Sequence, residues 1–289
     1  MDMLKSGHGF YSRIICLFTI IYCSCNNPVS IDHSSFTFSV FDVGQGLSQI
    51  AVKDSHAIVW DLGPPEAYAS WIKQYKNVGK PLIDAVVISH RDIDHSGGLQ
   101  FLDTSINWTG TLVMSSYEDS VYLKQLCGNW KKGITCKIIG EGEKLEYLEG
   151  VDIQCIWPFD FQEEYPCSEL LTNYYSLVFL LKYNLSQIII TSDIDSAAGQ
   201  MLSVKYGTTL MSDIMIVPHH GSVYSVNSTF FGYIRPKTAI ISCSKNNPYG
   251  HPSDMVLRLL MQLGTKIFIT YIDNSIHFRS NGYYWEYFR

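Results

Sequence analysis

Four apolar runs in this sequence lead into short clusters rich in histidine or aspartate, and this repeated pattern most limits what the chain can fold into. ISHRDIDHSGGL, residues 88–99, overlaps the end of the apolar run Ile83–Ile88 and holds two histidines and two aspartates within six residues. Three further clusters, TSD, PHHGS and NPYGHP, stand at residues 191–193, 218–222 and 247–252. Since α/β folds place ligands at the carboxyl ends of their strands, we expect the four clusters to meet at one edge of a sheet.

The rest of the chain has a globular composition and many short strand-like runs. Of its 289 residues, 17% are charged and 13% are aromatic, which suits a packed domain rather than a disordered one. Apolar runs bounded by turn residues predict thirteen strands. These are Phe36–Phe41, Ser48–Val52, Ala57–Trp60, Ile83–Ile88, Thr111–Met114, Lys137–Ile139, Val151–Ile156, Leu177–Tyr183, Gln187–Thr191, Ile214–Val217, Thr238–Ser242, Lys266–Tyr271 and Ser275–Arg279. With helices near Glu66–Tyr75, Ala197–Tyr206 and Ser253–Leu263, they predict an α/β layered architecture with the helices outside.

The first 25 residues are typical of an export signal rather than of a folded segment. Lys5 and Arg13 precede the apolar stretch Ile14–Cys23, which has the length of a signal-peptide core and is too short to span a bilayer. The following SCNN resembles the cleavage site of a bacterial lipoprotein with Cys25 as the lipid-bearing residue, although a plain secretory peptide or an uncleaved anchor also fits. We therefore predict a signal peptide over 1–25, a linker over 26–35 and a folded domain over 36–289. The predicted location is the periplasm or the cell surface, with membrane attachment through a lipidated Cys25 and no transmembrane domain.

The cysteines allow two interpretations. Cys127 and Cys136 bracket GNWKKGIT and could form a disulfide in an oxidising compartment. Buried free thiols are an equally good account. Beyond Cys25, none of the cysteines has the C-x-x-C spacing of a zinc or redox site.

The cluster HRDIDH offers ligands for metal ions. His90 and Asp92 can point the same way, and Asp94 and His95 sit one turn further on, which gives two groups of nitrogen and oxygen ligands. Imidazole with carboxylate suits zinc, manganese or iron, and each added carboxylate moves the preference towards harder ions such as manganese. The plainer alternative is a polar loop whose aspartates cap a helix that begins near Gly97.

The other three clusters could complete such a centre. Asp193, at the tip of its strand, could bridge two metal ions, although strand-end aspartates often serve only as helix caps. His219 and His220 are adjacent and point in different directions, so only one of them is expected to bind metal. His251, in a tight loop ahead of a helix, could protonate a leaving group.

Together these motifs resemble the metallo-β-lactamase fold superfamily, whose signature is H-x-H-x-D-H. More narrowly, their order is similar to that in the C-terminal hydrolase domain of the ComEC family of DNA-uptake channel proteins. The matching segments are FDVGQG (41–46), WDLG (60–63), SHRDIDHSGGL (89–99), NYYSLVFLL (173–181), TSD (191–193), PHHGS (218–222) and NPYGHP (247–252). The resemblance covers the chain from about residue 36 to its C-terminus and implies a four-layer αββα sandwich. Two departures stand out: Asp92 replaces a histidine of the signature, and Ser192 replaces the glycine of T-G-D.

The resemblance also implies roles for individual residues. It implies six ligands for two divalent ions, zinc or manganese: His90, Asp92 and His219 at one position, Asp94 and His95 at the other, and Asp193 bridging them. Five residues are expected to support the ligands or to contact substrate: Asp61, Asn173, Ser176, His220 and Ser222. Asp94 and His251 are the predicted catalytic residues, with His251 as proton donor or substrate contact.

The leading hypothesis is an exported, ComEC-like, metal-dependent phosphodiesterase or nuclease, in which a hydroxide bridging two ions attacks phosphorus. Its expected substrate is a nucleic acid or a small phosphodiester. An alternative on the same scaffold is hydrolysis of a small molecule such as a phosphocholine, a lactone or a lactam. The net charge of −6 mildly favours that alternative, because a phosphate backbone needs basic contacts. A non-catalytic surface binding module that keeps the fold is the third candidate.

Overall fold

The computed structural model describes residues 35–102, 106–117, 133–159 and 172–289, and its strands form two β-sheets. The described strands are β1 (Phe36–Val40), β2 (Gln49–Lys53), β3 (His56–Trp60), β4 (Leu82–Ile88), β5 (Thr111–Ser115), β6 (Thr135–Ile139), β7 (Asp152–Trp157), β8 (Val178–Tyr183), β9 (Ser186–Ile190), β10 (Ile214–Ile216), β11 (Thr238–Ile241), β12 (Lys266–Ile269), β13 (Ile276–Ser280) and β14 (Trp285–Phe288). The first sheet has the order β14-β13-β1-β2-β3-β4-β5-β6 and the second has the order β12-β11-β10-β9-β8-β7.

Helices cover the outer face of each sheet. The described α-helices are α1 (Tyr68–Asn77), α2 (Ile93–Ser96), α3 (Ser196–Tyr206), α4 (Ser228–Ile234), α5 (Asp254–Gln262) and α6 (Thr270–Asp273). Three apolar clusters separate the layers. Trp71 of α1 packs with residues of the first sheet, the inward side chains of both sheets pack on each other, and Phe230 of α4 packs with the outward side chains of the second sheet. The result is the predicted four-layer αββα sandwich.

The alternation of side chains along the strands explains this layering. In β9, Ile188 and Ile190 point into the core between the sheets, whereas Ile189 points out to the helices α3–α5. All three are fully buried, which is typical of parallel strands covered on both faces. Strands β3 to β6 are mutually parallel in the first sheet, and β9 to β12 are mutually parallel in the second.

The polar clusters of the sequence follow the carboxyl ends of these parallel strands. His90 lies two residues after the end of β4, Asp193 three residues after β9, and His219 three residues after β10. His251 lies in the loop between β11 and α5. The clusters follow strand ends as expected, but they do not lie at one edge of a single sheet, because β4 belongs to the first sheet and β9, β10 and β11 belong to the second.

Some elements differ from the predicted ones. The strand predicted over Lys266–Tyr271 ends at Ile269, and the chain then turns into helix α6. Helix α4 and strand β14 were not predicted. Strand β14 lies at the edge of the first sheet, where β13 is its one partner among the described strands. It is partly exposed and lacks the buried apolar run that marks the central strands.

Several sequence predictions fall on segments outside the described residues. These include the signal region over 1–25 with Cys25, and the loop that carries Cys127. Cys136 is disulfide-bonded, and its partner also lies outside the described residues. Cys155 and Cys243 are free and buried, as the thiol interpretation expected. Among the described helices, none combines the length and apolar character that a membrane crossing requires.

Candidate metal centre

The first cluster lies on the loop after β4 and on the short helix α2. His90 and His95 are fully buried, whereas the side chain of Asp92 is 43% exposed. Asp92 stands at the N-cap of α2 but makes no side-chain capping hydrogen bond, so its carboxylate does not serve the helix. Its Oδ2 instead lies 3.5 Å from Nε2 of His90. The capping alternative considered from the sequence is therefore not realised at this residue.

Asp61, at the end of β3, orients both histidines of this cluster. One carboxylate oxygen accepts the backbone N–H of Ser89 at 2.8 Å. The other accepts the hydroxyl of Ser89 and Nδ1–H of His95, both at 2.8 Å. Because the hydroxyl hydrogen of Ser89 is donated to Asp61, its oxygen is left to accept Nδ1–H of His90 at 3.0 Å. Both rings thus keep Nδ1 occupied and present Nε2, the arrangement by which supporting groups orient metal-binding histidines.

A strained turn after β10 presents His220 in the same way. Three consecutive residues, His219, His220 and Gly221, have positive φ angles of 52°, 55° and 83°. A Cβ on Gly221 would lie 2.8 Å from Cβ of Pro252, so this close approach requires glycine. The turn buries His220 and lets its Nδ1–H donate to the carbonyl of Ser242 at 2.8 Å. Such strain at two non-glycine residues is typical of functional sites.

The oriented nitrogen atoms converge on carboxylates from both sheets. Nε2 of His95 lies 3.3 Å from Nε2 of His220 and 3.1 Å from Oδ1 of Asp193. Nε2 of His220 lies 3.3 Å from Oδ2 of Asp94 and 3.4 Å from Oδ2 of Asp193. Two groups of three can each place their ligand atoms within 4.8 Å of one another: His90, His95 and Asp193, and Asp94, His95 and His220.

The electrostatics of this cluster favour a cation. Burial acts to lower the pKa of His95, but the charges of Asp193 and Asp61 hold it well above its ordinary value. Burial likewise acts to raise the pKa of Asp193, and the neighbouring His95 and His220 hold it well below its ordinary range. Burial acts to raise the pKa of Asp94, but the hydrogen bond to His220 helps to lower it to about 2. These carboxylates are therefore ionised at neutral pH, and positive charge between them is stabilised.

The remaining histidines lie at the rim of the cluster. Nε2 of His219 is 3.8 Å from Oδ2 of Asp193, further than Nε2 of His220, and its side chain is 22% exposed. The His251 ring is stacked on that of His220, with centroids 6.2 Å apart. Burial, with the charges of His220 and His219, lowers the pKa of His251 to about 4. Neither His219 nor His251 belongs to the two ligand groups, and Asp92 is also outside them.

The residues predicted to support the ligands lie around Asp193 and the histidine turn. The hydroxyl of Ser176 accepts the backbone N–H of Asp193 at 3.2 Å and donates to the carbonyl of Asn173 at 2.9 Å. The backbone N–H of Ser222 closes the histidine turn by donating to the carbonyl of His219 at 2.8 Å. Sequence reasoning missed Ser89 and Ser242, since only their contacts to the histidine rings reveal their role.

The residues present fit a divalent metal ion. Nε2 of His90 and Oδ1 of Asp193 are buried, and neither has a hydrogen-bond partner by distance and angle among the described residues. Oδ1 of Asp193 lies 3.1 Å from Nε2 of His95 in an ion-pair contact. Buried polar atoms of this kind are costly unless something binds them. Imidazole nitrogen with carboxylate oxygen is the donor set of zinc, manganese and iron sites. A two-sheet αββα sandwich with such a cluster at one edge defines the class of the protein: a metal-dependent hydrolase fold.

Comparison with known proteins identifies the family. The family model described as Metallo-beta-lactamase superfamily matches residues 42–152, which include Asp61 and the whole HRDIDH cluster. The metallo-beta-lactamase fold protein YhfI from Bacillus subtilis shares the fold with a TM-score of 0.51 at 12% identity, covering 80% of this chain and 96% of that one. The chain therefore carries a domain of the metallo-beta-lactamase superfamily.

Curated relatives include a competence protein and a ComE operon protein. The chain is 25% identical over 255 residues to "Competence protein ComA" of Neisseria gonorrhoeae, covering 87% of this chain and 33% of that protein. It is 26% identical over 198 residues to "ComE operon protein 3" of Bacillus subtilis (strain 168), covering 68% of this chain and 24% of that protein. The chain thus spans a third or less of the length of these competence proteins, and the resemblance to the ComEC family is confirmed at the level of this domain.

Proposed function

We propose that this chain is a phosphodiesterase that cleaves nucleic acid with two divalent metal ions. The observation that carries the proposal is the convergence of three oriented Nε2 atoms on the carboxylates of Asp94 and Asp193. Its relatedness to competence proteins supports nucleic acid as the substrate class. Divalent ions supply Lewis acidity, which polarises a phosphoryl oxygen and makes water acidic enough to act as a nucleophile near neutral pH.

Two sets of residues are proposed to hold the ions. His90, Asp92 and Asp193 would hold one, and Asp94, His95 and His220 the other. The two oxygens of Asp193 lie 3.1 Å from Nε2 of His95 and 3.4 Å from Nε2 of His220. The ligand proposed from the histidine turn is His220, together with Asp94 and His95, rather than His219 together with His90 and Asp92 as the resemblance implied. The shorter approach of His220 to Asp193, its burial and its fixed Nδ1–H support this choice.

The rest of the chain's contribution is orientation and substrate contact. Asp61 and Ser89 fix the rings of His90 and His95, and Ser242 fixes that of His220. His251 is proposed to contact the substrate, since its half-buried ring lies over His220 and its Nδ1 has no partner among the described residues.

The test is hydrolysis by metal-loaded protein of single- and double-stranded DNA and of bis-p-nitrophenyl phosphate. We expect Asp94→Ala and His220→Ala to lose at least about a hundredfold in kcat/KM, and His219→Ala about tenfold or less. Asp84→Asn is the matched control, because Asp84 also pairs with a histidine, His56 at 2.9 Å, but away from this centre. Metal-loaded protein that is inert on all three substrates would overturn the proposal, and turnover of a lactone or lactam instead would support the small-molecule alternative.

We also propose that the chain is exported. The apolar stretch over residues 14–23 supports a signal peptide, and a disulfide at Cys136 suits an oxidising compartment. Cell fractionation of the wild type and of Cys25→Ala tests this. We expect the wild type in the membrane fraction and the variant released from it if Cys25 carries lipid; a wild type found only in the cytosol would contradict export.

A further inference from the structure

The loop from β11 to α5 presents an exposed ring beside the candidate metal centre. Tyr249 is 67% exposed, and its ring lies nearly parallel to that of His251, at 26° and with centroids 5.6 Å apart. The His251 ring in turn lies nearly parallel to that of His220, at 23°. Tyr249, His251 and His220 therefore form a column of rings that leads from the protein surface to a candidate metal ligand.

Hydrogen bonds fix the backbone of the loop that carries this ring. Oδ1 of Asn247 accepts the backbone N–H groups of Tyr249 at 3.2 Å and His251 at 2.9 Å. Nδ2 of Asn247 donates to the carbonyls of Ser244 at 2.8 Å and His251 at 2.6 Å. The loop is also joined to the histidine turn, since the backbone N–H of Ser253 donates to the carbonyl of Gly221 at 2.8 Å. An aromatic side chain that is both exposed and pre-ordered loses little entropy when a flat ligand stacks on it.

The same loop carries a cation and no acidic residue. Residues 244–253 read SKNNPYGHPS. Lys245 is exposed, and among the described residues no carboxylate forms an ion pair with it. In a chain with a net charge of −6, a loop beside the centre thus combines a free positive charge with an exposed aromatic face. Single-stranded nucleic acid is bound by this combination, because the cation contacts the backbone phosphate and the ring stacks on the base.

We propose that Tyr249 and Lys245 form a subsite for the nucleotide next to the cleaved phosphodiester, and that the substrate is therefore single-stranded. This inference rests on the proposed function. Tyr249 stacks on an unpaired base, and Lys245 contacts the adjoining phosphate. A base inside a duplex is already stacked and cannot occupy the tyrosine face without being turned out of the helix.

Equilibrium binding tests the subsite separately from catalysis. The probes are fluorescein-labelled phosphorothioate oligothymidylate of about eight nucleotides, which resists cleavage, and an abasic oligomer of the same length and charge. Metal-loaded wild type is expected to bind the oligothymidylate more tightly than the abasic oligomer, and more tightly than the same strand in a duplex. Tyr249→Ala should lose about tenfold in affinity for the oligothymidylate and little for the abasic oligomer, and Tyr249→Phe should retain the affinity.

Two further variants complete the comparison. Lys245→Ala should weaken binding of both oligomers and reduce the slope of log affinity against log salt by about 0.7. Tyr283→Ala is the matched control, since Tyr283 is 71% exposed but lies in the turn between β13 and β14. Equal losses on both oligomers, an unaffected Tyr249→Ala, or a wild type that binds neither oligomer would overturn the inference. A wild type that binds as expected but cleaves no phosphodiester would overturn the proposed function alone.

Discussion

At the scale of one residue, Ser192 has a backbone conformation that favours glycine. It precedes Asp193, has a φ of 45°, and keeps its buried hydroxyl without a partner among the described residues. The family motif has glycine here, and the positive φ explains why. We expect Ser192→Gly to raise the free energy of unfolding by about 1 kcal/mol in urea titrations, because the left-handed conformation is strained for a side chain. Ser203→Gly, inside helix α3, should instead lower it by about 1 kcal/mol. A destabilised Ser192→Gly would contradict the assignment of strain.

Asp61 determines which nitrogen of His95 is free to bind metal. An asparagine has the size of Asp61 and tolerates its positive φ of 57°, but its amide NH₂ cannot accept a hydrogen bond. In Asp61→Asn, the single remaining acceptor oxygen cannot serve both the backbone N–H of Ser89 and Nδ1–H of His95, so the proton of His95 is no longer firmly held on Nδ1. We expect metal affinity to fall about 10- to 100-fold, measured by competition with a chromophoric chelator. Asp84→Asn should leave the affinity unchanged, and an unchanged affinity in Asp61→Asn would contradict this role.

At the scale of elements, the turn after β10 positions the histidine pair. Gly221→Ala places a methyl group against Pro252 and a side chain at a φ of 83°. We expect the free energy of unfolding to fall by about 3 kcal/mol and metal affinity to fall with it, because His220 is displaced. Gly264→Ala separates the two effects: its φ is 72° but nothing lies near the added methyl group, so a loss of about 1 kcal/mol with full metal affinity is expected. Equal behaviour of the two variants would contradict a specific role for this turn.

The same turn shows how far the sequence alone could lead. Apolar runs ending in polar motifs predicted the central strands to within a few residues, because buried strands end where the apolar run ends. The order of motifs predicted which loops meet. The residues alone left open which of His219 and His220 binds metal, and the resemblance favoured His219. The burial of His220 depends on two consecutive left-handed residues, which the sequence does not reveal. Nor could it find Ser242, because a backbone carbonyl that fixes a ring leaves no signal in the side chain.

At the scale of the whole molecule, the candidate centre joins the two sheets. Asp61 follows β3, and Asp94 and His95 lie on helix α2 just after β4, both strands of the first sheet. Asp193 and His220 follow strands of the second sheet. The two sets approach to 3.1 Å between His95 and Asp193 and to 3.3 Å between Asp94 and His220. An ion held by both sets would link the two halves of the sandwich in the native state only, so its binding free energy would add to stability.

Removing metal should therefore destabilise the whole domain. With free metal at about 100 times the Kd of each site, chelation is expected to lower the free energy of unfolding by about 2.7 kcal/mol for each ion removed, seen as a shift of the denaturation midpoint with an unchanged slope. Asp193→Asn keeps the size of the side chain but removes the charge that faces His95 and His220. In that variant, chelator and metal should give nearly the same midpoint. If chelation strips the metal from the wild type and the midpoint does not move, the cluster does not join the two sheets through a bound ion.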